Sequence, residues 1–119
     1  MVKKVENVKR NTFEVNVEPD YVWKSGEFIK FKDANFPISM LGWSSINMVF
    51  EGIRGYYNSE EDQVYILHLN EHLKRFMESM KMMRMHPLIE IEELKSIIIE
   101  LIKKNKYKED VYMQPLAYF

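Results

Sequence analysis

Every second residue is apolar in an early part of the chain, and this period predicts β-strands. Residues 12–18 follow the alternation and are closed by Pro19-Asp20, so they are predicted to form a half-buried strand. Residues 21–23 and 27–31 flank Ser25-Gly26, a pair suited to a tight turn. The chain is therefore expected to start with one strand and to continue with a β-hairpin.

A longer strand is predicted for residues 48–57, where β-branched and aromatic side chains are frequent. The polar segment that follows fits the tip of a second hairpin, which returns through residues 64–67. Gly52 lies inside the longer strand, and a glycine there indicates either a bulge or a close approach by another backbone or a ligand. The charges beside it, Glu51 and Arg54, would each need a partner if buried, which is mild evidence for a site.

The spacing changes to that of an amphipathic helix after the second hairpin. Its apolar stripe consists of Leu69, Leu73, Phe76, Met77 and Met80. Asn70 is the predicted N-cap, and Glu71 in the first turn complements the helix dipole. Arg75 lies roughly opposite the centre of the stripe, so its guanidinium is expected to point away from the core.

A second helix is predicted after Pro87. Its apolar face consists of Ile91, Leu94, Ile97, Ile98 and Leu101. Acidic residues stand at its start and lysines at its end, which complements the dipole at both ends. We therefore expect this helix to be well formed.

The chain ends with an apolar segment, residues 111–119, that is predicted to be one strand. Tyr112, Gln114, Leu116 and Tyr118 would share one of its faces, and Pro115 limits how one edge can pair. Strands, then two helices, then a strand predict an α+β fold. In it, two amphipathic helices cover one face of a mainly antiparallel sheet.

Composition and charge narrow the classes of function. A chain of 119 residues is one domain at most. Its net charge of -1 argues against a nucleic-acid or anionic-membrane partner. No apolar run is long enough to span a bilayer, and the first residues lack the apolar stretch of a signal peptide. The absence of cysteine fits a cytoplasmic protein without a disulfide framework.

Residues 23–119 also carry a specific set of motifs. In chain order these are Ser25-Gly26-Glu27, Asp33-Ala34, Val49-Phe50-Glu51-Gly52-Ile53-Arg54, Glu71-His72-Leu73-Lys74-Arg75, Asn105, Tyr112 and Pro115-Leu116. Phe-Glu-Gly-Ile-Arg followed at this distance by Glu-His-Leu-x-Arg resembles the N-terminal domain of branched-chain amino acid aminotransferases, fold type IV enzymes that use pyridoxal phosphate. The resemblance assigns residues 21–119 to that domain and residues 1–20 to an N-terminal extension.

The resemblance implies roles for individual side chains. The family's arginine in Glu-His-Leu-x-Arg binds the cofactor phosphate, and here it is Arg75; a planar guanidinium makes paired, charge-assisted bonds to phosphate oxygens. Phe50 would line the pocket for a branched apolar side chain, and Gly52 would let the backbone approach the substrate. Tyr112 would place its hydroxyl at the pocket wall. Packing in the core is the ordinary alternative for Phe50 and Tyr112.

The resemblance further implies a transaminase that acts on amino acids and 2-oxo acids as a homodimer. Transamination needs a lysine that carries the cofactor and an acid that keeps the pyridine nitrogen protonated. In this family both residues belong to a second domain, so we assign no catalytic residue among residues 1–119. The chain by itself is expected to be inactive and, with an apolar docking face exposed, to self-associate.

Two departures from the family pattern concern the substrate. Ser45 and Ile46 stand where members usually carry a tyrosine and a glycine. Gln114 stands where many members carry an arginine that binds a substrate carboxylate, and a lost charge-assisted pair is worth about 1.5 to 3 kcal/mol. Arg54 would compensate if its side chain turned toward the same pocket. The amino donor and acceptor therefore stay open.

Other functions fit parts of the same sequence. His68-Leu69-Asn70-Glu71-His72 matches His-x-x-Glu-His, a zinc-peptidase pattern, but an N-cap at Asn70 would leave His68 before the helix. An interaction domain without a ligand would be favoured by an Arg75 buried against a carboxylate of the same chain. Within the fold type, an aminodeoxychorismate lyase or a D-amino acid aminotransferase shares the cofactor chemistry, although the usual motifs of these enzymes fit less well.

Overall fold

The computed structural model describes residues 18–40 and 47–119, in which two helices pack on antiparallel strands. The strands are β1 (Tyr21–Lys24), β2 (Glu27–Lys30), β3 (Met48–Phe50), β4 (Ile53–Asn58), β5 (Gln63–Ile66), β6 (Val111–Met113) and β7 (Leu116–Tyr118). The helices, α1 (Leu69–Met82) and α2 (Ile91–Asn105), come between β5 and β6. The strand predicted at residues 12–18, apart from its last residue, and the departures at Ser45 and Ile46 lie outside the described residues.

Both predicted hairpins are present. β1 pairs with β2 in antiparallel register, and Ser25 and Gly26 between them have positive φ angles of 51° and 107°. Positive φ at both central residues is what a type I′ hairpin turn requires, and glycine adopts it without steric cost. β4 pairs with β5, and the Asn58 side chain accepts hydrogen bonds from two backbone N–H groups in the loop between them.

The two long strands that the sequence predicts are each interrupted. Residues 48–57 divide into β3 and β4, and residues 111–119 divide into β6 and β7. β3 pairs with β7 and β4 pairs with β6, so Glu51-Gly52 and Gln114-Pro115 form breaks that face each other. Because Pro115 has no N–H, the ladder cannot continue there, and the Pro115 carbonyl instead accepts from the Glu51 N–H at 3.2 Å.

The helical stripes form the core, as the periodicity predicts. Leu73, Phe76 and Met80 of α1 and Leu94 and Ile98 of α2 are buried together with a residue of β4. All described strand pairs are antiparallel. The expected α+β class is therefore confirmed.

The predicted N-cap of α1 is wrong. The helix begins at Leu69, and His68 precedes it with a φ angle of 50° and no side-chain cap. The His68 carbonyl already accepts a hydrogen bond from the His72 N–H at 3.0 Å, so the first helical turn closes before Asn70. The Leu67 N–H still donates to the Arg54 carbonyl and so extends the β4–β5 ladder, which leaves His68 as the one residue between the ladder and the helix.

Helix α2 has the charges that were expected at both ends, and it also anchors the first hairpin. Glu92 and Glu93 lie in its first turn, and lysines lie in its last turn. At its end the Asn105 side chain accepts from the Tyr21 N–H at 2.9 Å and donates to the Tyr21 carbonyl at 3.0 Å. Among residues 18–40 and 47–119, no helix is long and apolar enough to cross a membrane.

Candidate functional site

The sheet formed by β5, β4 and β6 has one covered and one open face. Ile53 and Gly55 of β4 are buried on the side of the helices. The alternate residues of the same strand, Arg54 and Tyr56, are exposed. This alternation follows from the period of two along a strand. A surface of aromatic and polar side chains is left on the side away from α1 and α2.

The structure brings the predicted pocket residues together on this open side. Phe50 is 55% exposed and Tyr112 is 61% exposed, and Gln114 is exposed as well. Arg54 lies directly opposite Tyr112 in the register of β4 and β6. Phe50 and Tyr112 are therefore not core residues here, and their rings are accessible to a bound molecule.

Gly52 is approached by a side chain. A Cβ atom built on Gly52 would overlap the hydroxyl of Tyr112, and it would be 3.1 Å from two ring carbons. The absence of a side chain at Gly52 thus lets the Tyr112 hydroxyl lie over the break between β3 and β4. The approaching group is a side chain, whereas the sequence indicated a bulge or an approach by another backbone or a ligand, so the predicted role of Gly52 toward a substrate stays a prediction.

A shallow groove of about 260 Å³ runs beside the Arg54–Tyr112 pair. Its lining residues are Arg54, Gly55, Tyr56, Asp110, Val111 and Tyr112. Arg54 and Tyr112 border this groove together, and Phe50, Gly52 and Gln114 are outside its lining. The groove therefore covers only part of the predicted pocket.

Arg75 is held by a carboxylate of the same chain. Its Nε donates to Glu51 Oε1 at 2.5 Å, and its Nη2 donates to Glu51 Oε2 at 2.8 Å. The Arg75 side chain is nevertheless 65% exposed. The guanidinium was expected to point away from the core, and its exposure agrees with this. The bond between one of its edges and Glu51 was not expected.

Glu51 is the buried member of this pair, with only 6% of its side chain exposed. The hydrogen bonds from Arg75 lower the pKa of Glu51 from 4.5 to about 2; they outweigh the effect of burial, which would raise it. The same contact raises the pKa of Arg75. Both groups are therefore charged at neutral pH.

His72, one turn before Arg75, also binds Glu51. Its Nδ1 lies 2.8 Å from Glu51 Oε2. An ionised carboxylate only accepts hydrogen bonds, so Nδ1 must carry the hydrogen. The 3.4 Å approach of Arg75 Nη2 to the same Nδ1 is then a contact between two donors and not a hydrogen bond.

Glu51 and His72 were not among the site residues predicted from the sequence. A signal for Glu51 was present, because a charge inside an apolar strand beside a glycine needs a partner if it is buried. The partner was not identifiable, since 24 residues separate Glu51 from Arg75. Packing of α1 over β3 brings them together.

The remaining hydrogens of Arg75 suit an anion. A guanidinium has five N–H donors, and Glu51 accepts from Nε and from one hydrogen of Nη2. Within the described residues, both hydrogens of Nη1 and one of Nη2 donate to no acceptor, and the side chain is 65% exposed, so these donors are free to bind an anion. The alternative of an interaction domain without a ligand required Arg75 to be buried against a carboxylate of the same chain. Only half of that condition holds, because Arg75 is paired with a carboxylate but is not buried.

The zinc-peptidase pattern is not assembled. His68 lies before α1, and its Nδ1 is 4.0 Å from Glu71 Oε2, while His72 is bound to Glu51. Within the part of the chain that the structure describes, no group of three or more His, Cys, Asp or Glu side chains could hold a metal ion.

Comparison with known proteins gives consistent relatives. A probable branched-chain-amino-acid aminotransferase of Aquifex aeolicus is 35% identical over 100 residues, which are 84% of this chain and 32% of that protein. The branched-chain amino acid aminotransferase of Thermobaculum terrenum, solved in its PLP form, superposes with a TM-score of 0.80 at 38% identity, over 84% of this chain and 33% of that one. The branched-chain aminotransferase of Thermoproteus uzoniensis, solved with norvaline, gives a TM-score of 0.75 at 31% identity, over 86% of this chain and 34% of that one.

These relatives are much longer than this chain. The chain spans about a third of the length of the proteins it matches. No protein-family model matches the sequence.

Proposed function

Because this chain belongs to the branched-chain amino acid aminotransferase family over the 84% of its length that these relatives cover, we propose that it forms one part of a pyridoxal-phosphate-dependent transaminase. Residues 21–119 would be the domain that supplies the phosphate-binding arginine and part of the substrate pocket. Residues 1–20 would be an extension. The amino group would pass between an amino acid and a 2-oxo acid, in a protein that assembles as a homodimer.

The exposed edge of Arg75 is the observation that carries this proposal. Its donors lie at the surface, beside the strand break that contains Gly52, and Glu51 holds the opposite edge. Pyridoxal phosphate, when bound, supplies the electron sink for transamination and an anionic phosphate by which it is held. Arg75 would bind that phosphate by charge-assisted hydrogen bonds.

The open face would contribute the wall of the substrate pocket. Phe50 and Tyr112 offer apolar ring surface for a branched side chain, and both are more than half exposed. Arg54, which lies opposite Tyr112 in register, would pair with a substrate carboxylate, with Gln114 as a neutral hydrogen-bonding partner. Lys74 occupies only the variable position of Glu-His-Leu-x-Arg, and no lysine of residues 1–119 matches a lysine of the family pattern. We therefore assign the chemical step to the remainder of a longer protein.

Calorimetric titration of the 119-residue chain tests the role of Arg75. Pyridoxamine 5′-phosphate is a suitable probe because it has no aldehyde and cannot react with surface lysines. We expect it to bind at least about tenfold more tightly than pyridoxamine, which lacks the phosphate; tenfold corresponds to about 1.4 kcal/mol. Arg75→Gln should abolish this difference.

Arg84→Gln is the matched control, since it removes the charge of another exposed arginine in the loop between α1 and α2. It should leave the preference for the phosphorylated probe within about twofold. Equal binding of the two probes by the unchanged chain, or an equal effect of the two substitutions, would contradict the proposed role of Arg75.

A further inference from the structure

Glu51 occupies a position where a carboxylate is costly unless it is fully paired. Its side chain is 6% exposed, and it lies between the end of β3 and the start of β4. Both of its partners, Arg75 and His72, come from one face of α1. Among the described residues, no buried side-chain nitrogen or oxygen lacks a hydrogen-bond partner, so this burial is fully compensated.

The pairing restricts the direction in which Arg75 presents its donors. An exposed arginine on a helix samples many rotamers, and ordering its long side chain costs conformational entropy. Two parallel hydrogen bonds to one carboxylate fix both the position and the plane of the guanidinium. The hydrogens of Nη1 are consequently turned away from Glu51.

We propose that Glu51 is a positioning residue for the anion site, which fixes the Arg75 guanidinium so that its remaining donors are ready for a phosphate group. His72 assists by donating its Nδ1 hydrogen to the same carboxylate. This inference rests on the proposed function of Arg75. It assigns to Glu51 an effect on phosphate affinity although Glu51 does not touch the phosphate.

The charge of Glu51 and its hydrogen bonds to Arg75 have opposite effects on the affinity for phosphate. An experiment can therefore tell them apart. The carboxylate of Glu51 repels an anion nearby, so removing its charge without a change of geometry would tighten phosphate binding. Removing the bonds that fix Arg75 would weaken phosphate binding. Glu51→Gln keeps the size of the side chain but loses the charge and one of the two acceptor oxygens. Tighter phosphate binding by this variant would mean that the charge dominates, and weaker binding would mean that the positioning of Arg75 dominates.

The experiment uses the ¹⁵N-labelled 119-residue chain and pyridoxamine 5′-phosphate, followed by NMR through the Nε–H signal of Arg75. In the unchanged chain this hydrogen should exchange slowly with water, because it is bonded to Glu51. In Glu51→Gln the exchange should be at least about tenfold faster, and the affinity for the probe should fall about three- to tenfold. Glu51→Asp, which keeps the charge but shortens the side chain, should also bind more weakly.

Glu100→Gln is the matched control, since it makes the same change of charge at an exposed position of α2. It should leave the exchange rate and the affinity within about twofold. Thermal unfolding identifies any variant that does not fold. If a variant fails to fold, the slow exchange of the Arg75 Nε–H still tests the proposal, because it is measured in the unchanged chain.

The outcomes separate the two hypotheses. If the unchanged chain and Arg75→Gln bind the probe equally, the proposed function of Arg75 fails and this inference fails with it. If the unchanged chain binds through Arg75 while Glu51→Gln binds equally or more tightly, only the positioning role of Glu51 is overturned. Rapid exchange of the Arg75 Nε–H in the unchanged chain also overturns it.

Discussion

At the residue scale, the electrostatics of the site depend on one buried carboxylate. Glu51 accepts hydrogen bonds from Arg75 and from His72, and these outweigh the desolvation of its charge. Truncating a buried partner leaves an uncompensated charge behind, whereas solvent around Arg75 moderates the strength of the pair. Glu51 is therefore expected to affect stability and anion binding together.

The depressed pKa of Glu51 predicts how stability depends on pH. Its pKa is about 2 in the folded chain, against 4.5 as the ordinary value, so its contribution is fully present above about pH 4.5 and is lost as the pH falls toward 2. We expect acid to remove about 1 to 2 kcal/mol of the free energy of unfolding through this group, with allowance for the exposure of Arg75. Urea unfolding at a series of pH values measures it.

The comparison variant for this pH dependence is Glu51→Gln, which cannot titrate at this position. It should show a shallower loss of stability between pH 4.5 and 2, while Glu100→Gln should retain the slope of the unchanged chain. Identical slopes for the three proteins would show that the Glu51–Arg75 pair does not contribute to folding.

At the element scale, the two strand breaks shape the open face. Glu51-Gly52 and Gln114-Pro115 oppose each other, so β3 with β7 and β4 with β6 form two short ladders in place of one long one. The period of two continues across the break, so the Glu51 side chain faces α1, as Ile53 faces the core, while Phe50 before it is exposed. Proline and glycine were visible in the sequence, but their register across two strands about 60 residues apart in the chain was not.

The two buried or half-buried glycines of this region should respond differently to alanine. A Cβ on Gly55 would lie 2.7 Å from a Val64 methyl and 2.8 Å from a Val111 methyl, both on paired strands. The three atoms nearest to a Cβ on Gly52 all belong to the far end of the Tyr112 side chain, which is exposed and can turn away. We expect Gly55→Ala to lower the free energy of unfolding by about 1 to 3 kcal/mol, and Gly52→Ala by less.

Urea unfolding of both variants checks this order of stability. Tyr112→Phe combined with Gly52→Ala should recover part of any loss, because it removes the hydroxyl that the new methyl would overlap. A loss from Gly52→Ala as large as that from Gly55→Ala would mean that the Tyr112 ring is fixed in place.

At the scale of the whole molecule, the helices cover one side of the sheet and leave the other side rich in exposed apolar groups. Phe50, Tyr56, Tyr65, Tyr112 and Leu116 are all exposed. Exposed apolar groups of this number on one side of a small protein favour association. In the proposed function this side forms part of a pocket that the remainder of a longer protein would complete.

The 119-residue chain by itself is therefore expected to self-associate. Multi-angle light scattering should give a mass that rises above 14.4 kDa with increasing concentration. Leu116→Lys should reduce the association by placing a charge on the open face. Leu88→Lys, a change at an even more exposed leucine in the loop between the helices, should have little effect. A constant mass of 14.4 kDa at high concentration would contradict this expectation.

The amino-acid sequence by itself determined the local elements and the family. Period-two and helical spacings predicted both hairpins, both helices and the core stripes, since these depend on neighbours a few residues apart. The motifs around Gly52 and Arg75 indicated the family. Only the tertiary structure decided where α1 begins, how the paired strands break, and that Glu51 binds Arg75, because these depend on residues far apart in the chain that meet only when the helix packs on the sheet.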